Sequence, residues 1–214
     1  MISVGEPAMR RPEFIAQQSR RPTGLLGRLI GHIMSVETAT ANESAVTLLD
    51  LQPSDRVLEV GFGHGRTIER VATALGTGFI AGIDLSEEMV RMAERRCRRL
   101  IRQGKATLTV GGSDHLPFPD QHFDKALSVH TIYFWADPEA HLREIHRVLA
   151  YGGRFVLGFH SKEDKMAEDF PASVYTFYTT EEVGALLETS GFERVDVAHV
   201  PGGLITATAC RSVR

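Results

Sequence analysis

The chain has 214 residues, 43% of them hydrophobic, and a formal net charge of −3. This length suits a single domain with a sizeable core, and the charge gives no general attraction to nucleic acid or to anionic membranes. Two cysteines, Cys97 and Cys210, are too few for a disulfide framework and favour a cytoplasmic location. No apolar run is long enough to cross a bilayer, so we expect no membrane span. The N-terminus carries Glu6 and Glu13 and has no uninterrupted apolar core, so we expect no secretory signal.

The first fifty residues are predicted to form an irregular stretch followed by two helices. Prolines punctuate residues 1–22, which we expect to be irregular. Apolar residues then recur at helical spacing and predict a short amphipathic helix over 25–34. A second helix, over about 38–50, should end before a proline. We interpret residues 1–50 as an N-terminal segment and helical cap, and residues 51–214 as one globular unit.

Residues 51–214 alternate between predicted strands and helices. Strands are expected near 56–60, 79–83, 106–110, 123–129, 154–160, 193–200 and 204–210, and helices near 64–75, 86–102, 138–149 and 180–190. Such alternation predicts a mostly parallel sheet with helices on both faces. The short connection Pro201-Gly202-Gly203 makes the final pair antiparallel, because a parallel pair would need a long crossover. We therefore predict a Rossmann-like, doubly wound α/β fold with seven strands, the last antiparallel, and a ligand at the carboxyl ends of the strands.

A glycine-rich segment, VLEVGFGHGRT over 57–67, indicates a buried strand, a tight turn and the start of a helix. Glycines at such a turn let the backbone pass close to a ligand. The helix that follows points unpaired N–H groups and a positive dipole end at the turn. The next strand ends at Asp84, about twenty residues on, where a nucleotide ribose presents its hydroxyls. These features predict a site for a nucleoside-containing cofactor.

Two classes of cofactor compete for this geometry. A dinucleotide requires the spacing G-x-G-x-x-G, so that its pyrophosphate sits on the helix N-terminus. Here the spacing is G-x-G-x-G, at Gly61, Gly63 and Gly65. Glu59, directly upstream, is a poor neighbour for a pyrophosphate but suits an ammonium group. A nicotinamide-dependent oxidoreductase is therefore disfavoured.

The motif Glu-x-Gly-x-Gly-x-Gly at 59–65 closely resembles the first motif of class I S-adenosylmethionine-dependent methyltransferases. Three further segments are similar to motifs of that family, in the family's order. GGSDHLPFPDQHFD at 111–124 resembles its GDAxxLPFxDxxFD segment, and RVLAYGGR at 147–154 resembles its RVLKPGG turn. FYTTEEV at 177–183, with the later Gly191-Phe192, resembles its last helix and exit glycine. Four matches in order are far more specific than any one of them.

The resemblance implies S-adenosylmethionine as the cofactor and assigns its binding residues. The expected set is Glu59, Gly61, Phe62, Gly63, Gly65, Asp84, Leu85, Met89, Ser113, Asp114 and Ser128. The glycines form the loop beneath the methionine and ribose, Glu59 orients that loop or receives the ammonium, and Asp84 accepts from the ribose hydroxyls. Leu85 and Met89 could contact the adenine, although for Met89 we favour membership of a core stripe. No metal is expected.

The adenine edge departs from the family pattern. The usual Asp of the GDA motif falls at Gly112, and Ser113 takes the Ala position. Asp114 could reach the adenine amino group from further along, or Ser113 could offer its hydroxyl and backbone N–H. A third interpretation makes Asp114 a solvated loop residue, since Asp is common in turns. These alternatives leave the adenine contacts open.

The segment Ser128–Trp135 follows the fourth strand, where the resemblance places residues beside the transferable methyl group. It has no Asn-Pro-Pro-Tyr and no cysteine nucleophile, which disfavours methylation of adenine, of protein glutamine or of cytosine C5. His130 is the candidate base, because imidazole has a suitable pKa; the alternative is a loop or cofactor contact. His160 is a second candidate. Tyr133 and Trp135 are candidate pocket walls. The aromatic segment 161–178 is expected over the pocket; the alternative is that its aromatic side chains only pack a loop.

The partners implied are a small-molecule acceptor and no nucleic acid. We interpret the arginine-rich helix over 91–102 as a solvated face. The N-terminal helix could lie on a membrane and admit a lipid- or quinone-like acceptor, but we favour a lid over the cofactor mouth. The predicted function is methyl transfer to a small molecule by in-line displacement. The alternative is a non-catalytic sensor or partner subunit that binds the cofactor or its product. The oligomeric state stays open.

Overall fold

The computed structural model describes residues 11–200 and 204–211, which contain a seven-stranded sheet. The strands are β1 (Arg56–Val60), β2 (Phe79–Asp84), β3 (Ala106–Val110), β4 (Phe123–Val129), β5 (Leu149–Phe159), β6 (Phe192–Val200) and β7 (Leu204–Arg211). Their order is β3-β2-β1-β4-β5-β7-β6, and β7 is antiparallel to both of its neighbours while β1 to β5 pair in parallel. The predicted fold, with its last strand antiparallel, is confirmed. The predicted connection Pro201-Gly202-Gly203 lies outside the described residues.

Eight α-helices occur in the described part of the chain. They are α1 (Glu13–Arg20), α2 (Gly24–Glu37), α3 (Ala39–Leu48), α4 (Arg66–Ala74), α5 (Glu87–Arg96), α6 (Arg98–Arg102), α7 (Pro138–Val148) and α8 (Thr180–Thr189). Several begin at capping side chains that satisfy the unpaired N–H groups of the first turn. Asp137 accepts from Ala140 N at the start of α7, and Thr179 and Glu182 form a capping box at the start of α8. Local sequence therefore sets these helix starts.

Two predicted elements were wrong in detail. Residues 13–20 form α1 rather than an irregular stretch, because Pro12 precedes the first turn, where a missing N–H costs nothing. Residues 1–10 lie outside the described range. The predicted helix over 86–102 breaks at Cys97, whose φ of −90° and ψ of 8° leave the helical region, and it continues as the short α6.

Hydrophobic side chains cover both faces of the sheet. One cluster joins the strands to α7 and α8 through residues such as Leu142, Ile145 and Val183. The other joins them to α3, α4 and α5 through Ile68 and Val90, among others. The strand order reverses between β1 and β4, so the carboxyl ends of β1, β2 and β4 meet at a switch point. A ligand site is expected at this edge.

One arginine fixes the loop that follows β3. Arg147, near the end of α7, forms ion pairs with Glu144 and Asp120, each at 2.7 Å. The same guanidinium donates to the carbonyl oxygens of Leu116 and Phe118 at 3.0 and 2.9 Å. The planar guanidinium, with five donors, suits such multiple contacts. The loop therefore reaches the sheet edge in a defined position.

None of the helices within 11–200 and 204–211 combines the length and the hydropathy that a membrane span requires.

Candidate cofactor and active site

A cavity of about 790 Å³ lies at the carboxyl ends of β1, β2 and β4. This volume falls within the range of small-molecule and cofactor sites. Ten of the residues predicted from the sequence line the cavity: Glu59, Gly61, Phe62, Gly63, Asp84, Leu85, Met89, Ser113, His130 and Trp135. Four do not, namely Gly65, Asp114, Ser128 and Tyr133. Residues of α1, α2 and α3 also line the cavity.

The glycine-rich turn has three residues in the left-handed region, with φ of +74°, +56° and +82° at Gly61, Gly63 and Gly65. A Cβ on Gly61 would lie 2.3 Å from the Thr131 methyl carbon, and one on Gly65 would lie 2.6 Å from the Cβ of Ala93. Packing therefore requires glycine at both positions. Gly65 acts through its contact with α5 rather than by lining the cavity.

Asp84 connects the glycine-rich turn to the turn after β2. Its Oδ2 accepts from the Gly63 N–H and its Oδ1 accepts from the Ser86 N–H, both at 2.8 Å. Burial raises the pKa of Asp84 above its ordinary value, and the two N–H donors oppose that rise. A carboxylate has further lone pairs on each oxygen. The cavity side of Asp84 can therefore accept two hydroxyl groups of a ribose.

Glu59 carries a buried carboxyl oxygen with no partner among the described residues. The residue is 4% exposed, and its Oε2 forms no hydrogen bond. Burial, followed by repulsion from Asp84, raises the pKa of Glu59 to about 8. An unpaired buried polar atom costs free energy, and an ammonium group in the cavity would satisfy it. The residues present therefore fit S-adenosylmethionine, which has an ammonium group and a ribose.

A second edge of the cavity combines Ser113, His141 and Trp135. Ser113 is buried, and its hydroxyl lies 2.7 Å from His141 Nδ1. The Trp135 ring stacks on the His141 ring at 4.9 Å between centroids. Asp114 is exposed and lies outside the lining. Of the two residues considered for the adenine, Ser113 is the one at the cavity.

His130 follows β4 with a left-handed backbone, at φ +59°. A non-glycine residue in this conformation is uncommon and is held by its surroundings. Its ring stacks on His160 at 5.1 Å, and its Nδ1 lies 3.2 Å from Tyr133 Oη. Burial lowers the pKa of His130 to about 3, and electrostatic repulsion from His160 is the second cause, so the ring is neutral at pH 7. A ring with so low a pKa is a weak base at neutral pH.

Two predicted site residues lie behind the lining. Tyr133 is not a pocket wall, because its ring packs among aromatic side chains such as Phe177 and its Oη accepts from the His160 N–H. Ser128 is fully buried; its hydroxyl donates to the Val60 carbonyl and bonds the Thr131 hydroxyl. Both residues support the lining from within the core.

The aromatic segment after His160 does not cover the cavity. Phe170, Tyr175 and Phe177 pack around Tyr133, with ring centroids 4.7 to 5.9 Å apart. No residue of 160–178 lines the cavity. The prediction that this segment lies over the pocket was therefore wrong, and its alternative, loop packing, describes the structure. His160 likewise contacts His130 and not the cavity.

Several lining residues were missed from the sequence: His64, Thr67, Thr131, Phe134 and His141. His64 lies inside the first motif at a position that its pattern leaves free, and Thr67 lies two residues after the motif. Burial, followed by repulsion from Arg96, lowers the pKa of His64 to about 4, so it is neutral in the cavity. His141 comes from α7, and no local pattern of the sequence links that helix to the site.

The fold and the site define a class of α/β proteins that bind a nucleoside-containing cofactor, and comparisons with known proteins agree. Residues 58–157 match the methyltransferase domain family. The chain is 28% identical over 169 residues to the methyltransferase YdaC of Bacillus subtilis, covering 79% of this chain and 88% of YdaC. It is 31% identical over 129 residues to the 27-O-demethylrifamycin SV methyltransferase of Amycolatopsis mediterranei, covering 57% of this chain and 47% of that protein.

The fold also matches solved structures. One is a methyltransferase of Haloferax volcanii in complex with the Trm112 methyltransferase activator, with a TM-score of 0.75 and 21% identity. The match covers 95% of this chain and 99% of that one. The chain has the fold of the class I S-adenosylmethionine-dependent methyltransferases, and its central part matches a methyltransferase domain. It is therefore a methyltransferase, and S-adenosylmethionine is its cofactor.

Proposed function

We propose that this methyltransferase acts on a small molecule held inside the cavity. The observation that carries the proposal is the volume and lining of the cavity. Ser19 and Arg20 of α1, and Gly31 and Met34 of α2, line the cavity together with the glycine-rich turn. A cavity of about 790 Å³ has room for a cofactor and a compact acceptor, and not for a folded protein or a duplex. The rifamycin methyltransferase relative supports a small acceptor by analogy.

The cofactor is proposed to bind along β1 and β2. Asp84 accepts from the ribose hydroxyls, Glu59 receives the ammonium, and Gly63 presents open backbone to the ligand. The adenine is proposed to extend toward Ser113, Leu85 and the Trp135–His141 stack. S-adenosylmethionine supplies a methyl group on a sulfonium, whose sulfur keeps the bonding electrons when the methyl leaves.

The protein's own contribution to such a displacement is alignment and the exclusion of water. His130, Phe134 and Thr131, at the end of β4, are proposed to meet the acceptor. Residues 1–50 are proposed to act as a cap, of which α1 and α2 cover the cavity. Ser86 Oγ donates to the Pro22 carbonyl at 2.6 Å, and Arg28 pairs with Glu88 at 2.5 Å. These contacts hold the cap on α5, beside the cofactor site.

The test has two parts. Calorimetric titration with S-adenosylhomocysteine and with NADH establishes cofactor binding, with Asp84→Ala as the weakened variant. Formation of S-adenosylhomocysteine is then measured with a small-molecule ultrafiltrate of cell extract and with the retained macromolecules. Turnover with the ultrafiltrate is expected. Turnover with the retained fraction alone would contradict a small-molecule acceptor.

A lipid- or quinone-like acceptor is a narrower proposal, favoured by the outer face of the cap. Leu25 is 80% exposed and Leu29 is 58% exposed, and Ile33 and Phe14 are also exposed. The exposed Arg20 and Arg21 lie between Phe14 and Leu25 in the chain. An apolar face flanked by arginines is typical of helices that lie on a lipid surface. Such contact would bring an apolar acceptor to the mouth of the cavity.

A further inference from the structure

Tyr133 connects two histidines at the acceptor end of the cavity. The His160 N–H lies 2.5 Å from Tyr133 Oη, and His130 Nδ1 lies 3.2 Å from the same oxygen. A backbone N–H can only donate, so the tyrosine oxygen accepts from His160. Within the part of the chain that the structure describes, His130 Nδ1 is the other hydrogen-bond partner of this oxygen.

The tyrosine's own proton therefore points to His130 Nδ1. Tyr133 is 5% exposed, so its hydroxyl cannot turn to water instead. In the reverse arrangement Nδ1–H would donate to Tyr133, and the buried tyrosine proton would have no acceptor, which is unfavourable. The His160 side chain does not compete, because its Nδ1 faces Asp164 Oδ2 at 3.3 Å.

The remaining nitrogen of His130 belongs to the cavity. A neutral imidazole carries one proton, so a ring whose Nδ1 accepts a hydrogen bond carries that proton on Nε2. His130 lines the cavity while its Nδ1 faces a core tyrosine. The low pKa of His130 agrees with a neutral ring.

We propose that Tyr133 is a positioning residue that holds His130 with its proton on Nε2, so that His130 offers the acceptor a hydrogen-bond donor and not a base. This inference rests on the proposed function, since it assigns His130 to the acceptor. It also specifies the acceptor's chemistry: an oxygen or nitrogen lone pair of the acceptor receives the Nε2–H, and a proton that the methylated atom must lose passes to solvent rather than to His130. Of the two roles considered for His130 from the sequence, base or contact, the inference favours a contact.

The tautomer is measured directly by long-range proton–nitrogen NMR of the ¹⁵N-labelled full chain at pH 7. The His130 signals are assigned by their loss in His130→Gln. The expected result is a protonated Nε2 and an unprotonated Nδ1. A protonated Nδ1, in a neutral ring or in an imidazolium, would overturn the inference, whether or not any variant folds.

The role of Tyr133 is tested by removing its hydroxyl. Tyr133→Phe should shift the His130 nitrogens toward a mixture of tautomers, while Tyr178→Phe, a partly buried tyrosine on the same aromatic cluster, should leave them unchanged. An unchanged tautomer in a folded Tyr133→Phe would overturn the positioning role.

Activity measurements distinguish a failure of this inference from a failure of the proposed function. His130→Gln retains a side-chain N–H donor, so turnover of the ultrafiltrate should stay within about tenfold of wild type, whereas loss of a base costs roughly 10²- to 10⁴-fold. A loss of the larger size would overturn the donor role. If no small molecule is methylated, the proposed function fails, and the NMR result still decides the tautomer.

Discussion

The cofactor half and the acceptor half of the cavity are built in different ways. Apart from its adenine edge at Ser113 and the Trp135–His141 stack, the cofactor half comes from one continuous stretch, Glu59 to Leu85. It relies on backbone geometry: left-handed glycines and N–H groups that donate to Asp84. The acceptor half combines α1, α2 and the residues after β4, which are distant in sequence. Its surface includes neutral side chains such as His130, Thr131 and Phe134.

The difference determines what a substitution does in each half. In the cofactor half one residue serves both the fold and the ligand, because the same backbone atoms pack and bind. In the acceptor half a core layer, including Tyr133 and Ser128, supports a separate lining layer. Changes to the lining can therefore alter the acceptor without unfolding the protein, which suits a class whose members share a cofactor and differ in acceptor.

The largest expected effect comes from adding one carbon atom to the cofactor half. In Gly61→Ala the new Cβ would lie 2.3 Å from the Thr131 methyl, at a φ of +74°. Backbone strain costs about 1–3 kcal/mol, and overpacking costs about 1–3 kcal/mol more. We expect a large fall in the free energy of unfolding, measured by urea denaturation, and loss of S-adenosylhomocysteine binding by calorimetry.

Gly104→Ala is the matched control. Gly104 also has a positive φ, of +71°, but a Cβ there would meet nothing within 4 Å, and the residue lies away from the cavity. The backbone penalty alone, about 1–2 kcal/mol, is expected, with unchanged cofactor affinity. Equal effects of the two substitutions would show that packing against Thr131 does not matter.

The second-largest effect is expected when the carboxylate of Asp84 is removed from the cofactor half. Asp84→Ala removes the acceptor of the Gly63 and Ser86 N–H groups together with the proposed ribose contact. Hydrogen bonds to a charged group contribute about 1.5–3 kcal/mol each, so affinity for S-adenosylhomocysteine should fall roughly a hundredfold.

Asp124→Ala is the comparison for that substitution. Asp124 also accepts a backbone N–H, that of Arg56 at 2.8 Å, but at the opposite end of the sheet. It should lower stability and leave cofactor affinity unchanged. Affinity losses of similar size in both variants would mean that Asp84 acts through the fold alone.

The difference between the cofactor half and the acceptor half also explains how much could be predicted from the sequence. The cofactor half was predictable because tight turns, strand ends and helix starts depend on local residue types. The glycines and Asp84 lie within one short segment, and their residue types indicate their roles. The seven strands were likewise predicted from the alternation of strand and helix segments along the chain. The antiparallel orientation of the last strand was predicted from the short connection that precedes it.

The acceptor half was less predictable because it depends on which distant segments pack together. Nothing local indicates that Tyr133 turns inward to contact His160. The adenine edge of the cofactor half was hard to predict for the same reason, since His141 of α7 reaches Ser113. The helix over 13–20 was missed because its eight residues are too few for a clear apolar period. Its burial of Ala16 and Ser19 is a property of the assembled cap.

A third prediction concerns the pH dependence of cofactor binding. Glu59 is the acidic group proposed to bind the ligand's ammonium, so affinity should depend on whether Glu59 is ionised. Its pKa in the free protein is about 8, above the ordinary 4.5. An ammonium favours the ionised form, so binding at pH 7 should release about one proton, and affinity should rise up to about tenfold per pH unit from about 5 to 8. Calorimetry of S-adenosylhomocysteine in buffers of different ionisation enthalpy measures the released proton. Glu59→Gln and adenosine, which lacks the ammonium, should show none.

The stability of the free protein has the opposite pH dependence. A raised pKa means that the folded state binds the Glu59 proton more tightly than the unfolded state. The contribution is therefore complete below about pH 4.5 and is lost as pH rises through about 8, with a slope of up to about 1.4 kcal/mol per unit. Glu59→Gln should flatten this profile in urea denaturation, leaving the contribution of Asp84, whose pKa is also raised. An unchanged profile would mean that Glu59 ionises freely.

The smallest effect on stability is expected at the outer face of the cap. Leu25 and Leu29 are 80% and 58% exposed, so Leu25→Gln combined with Leu29→Gln should change the free energy of unfolding by no more than about 0.5 kcal/mol per site. Ile30 lies on the same helix but is 8% exposed, and Ile30→Gln should cost about 1.5–3 kcal/mol or more. If the outer face contacts lipid, the double variant should lose co-sedimentation with vesicles of anionic phospholipid while keeping its affinity for S-adenosylhomocysteine. An exposed apolar face that binds lipid must lose that binding when its leucines become polar. Equal sedimentation of wild type and double variant would therefore contradict lipid contact and leave α2 with the role of a lid alone.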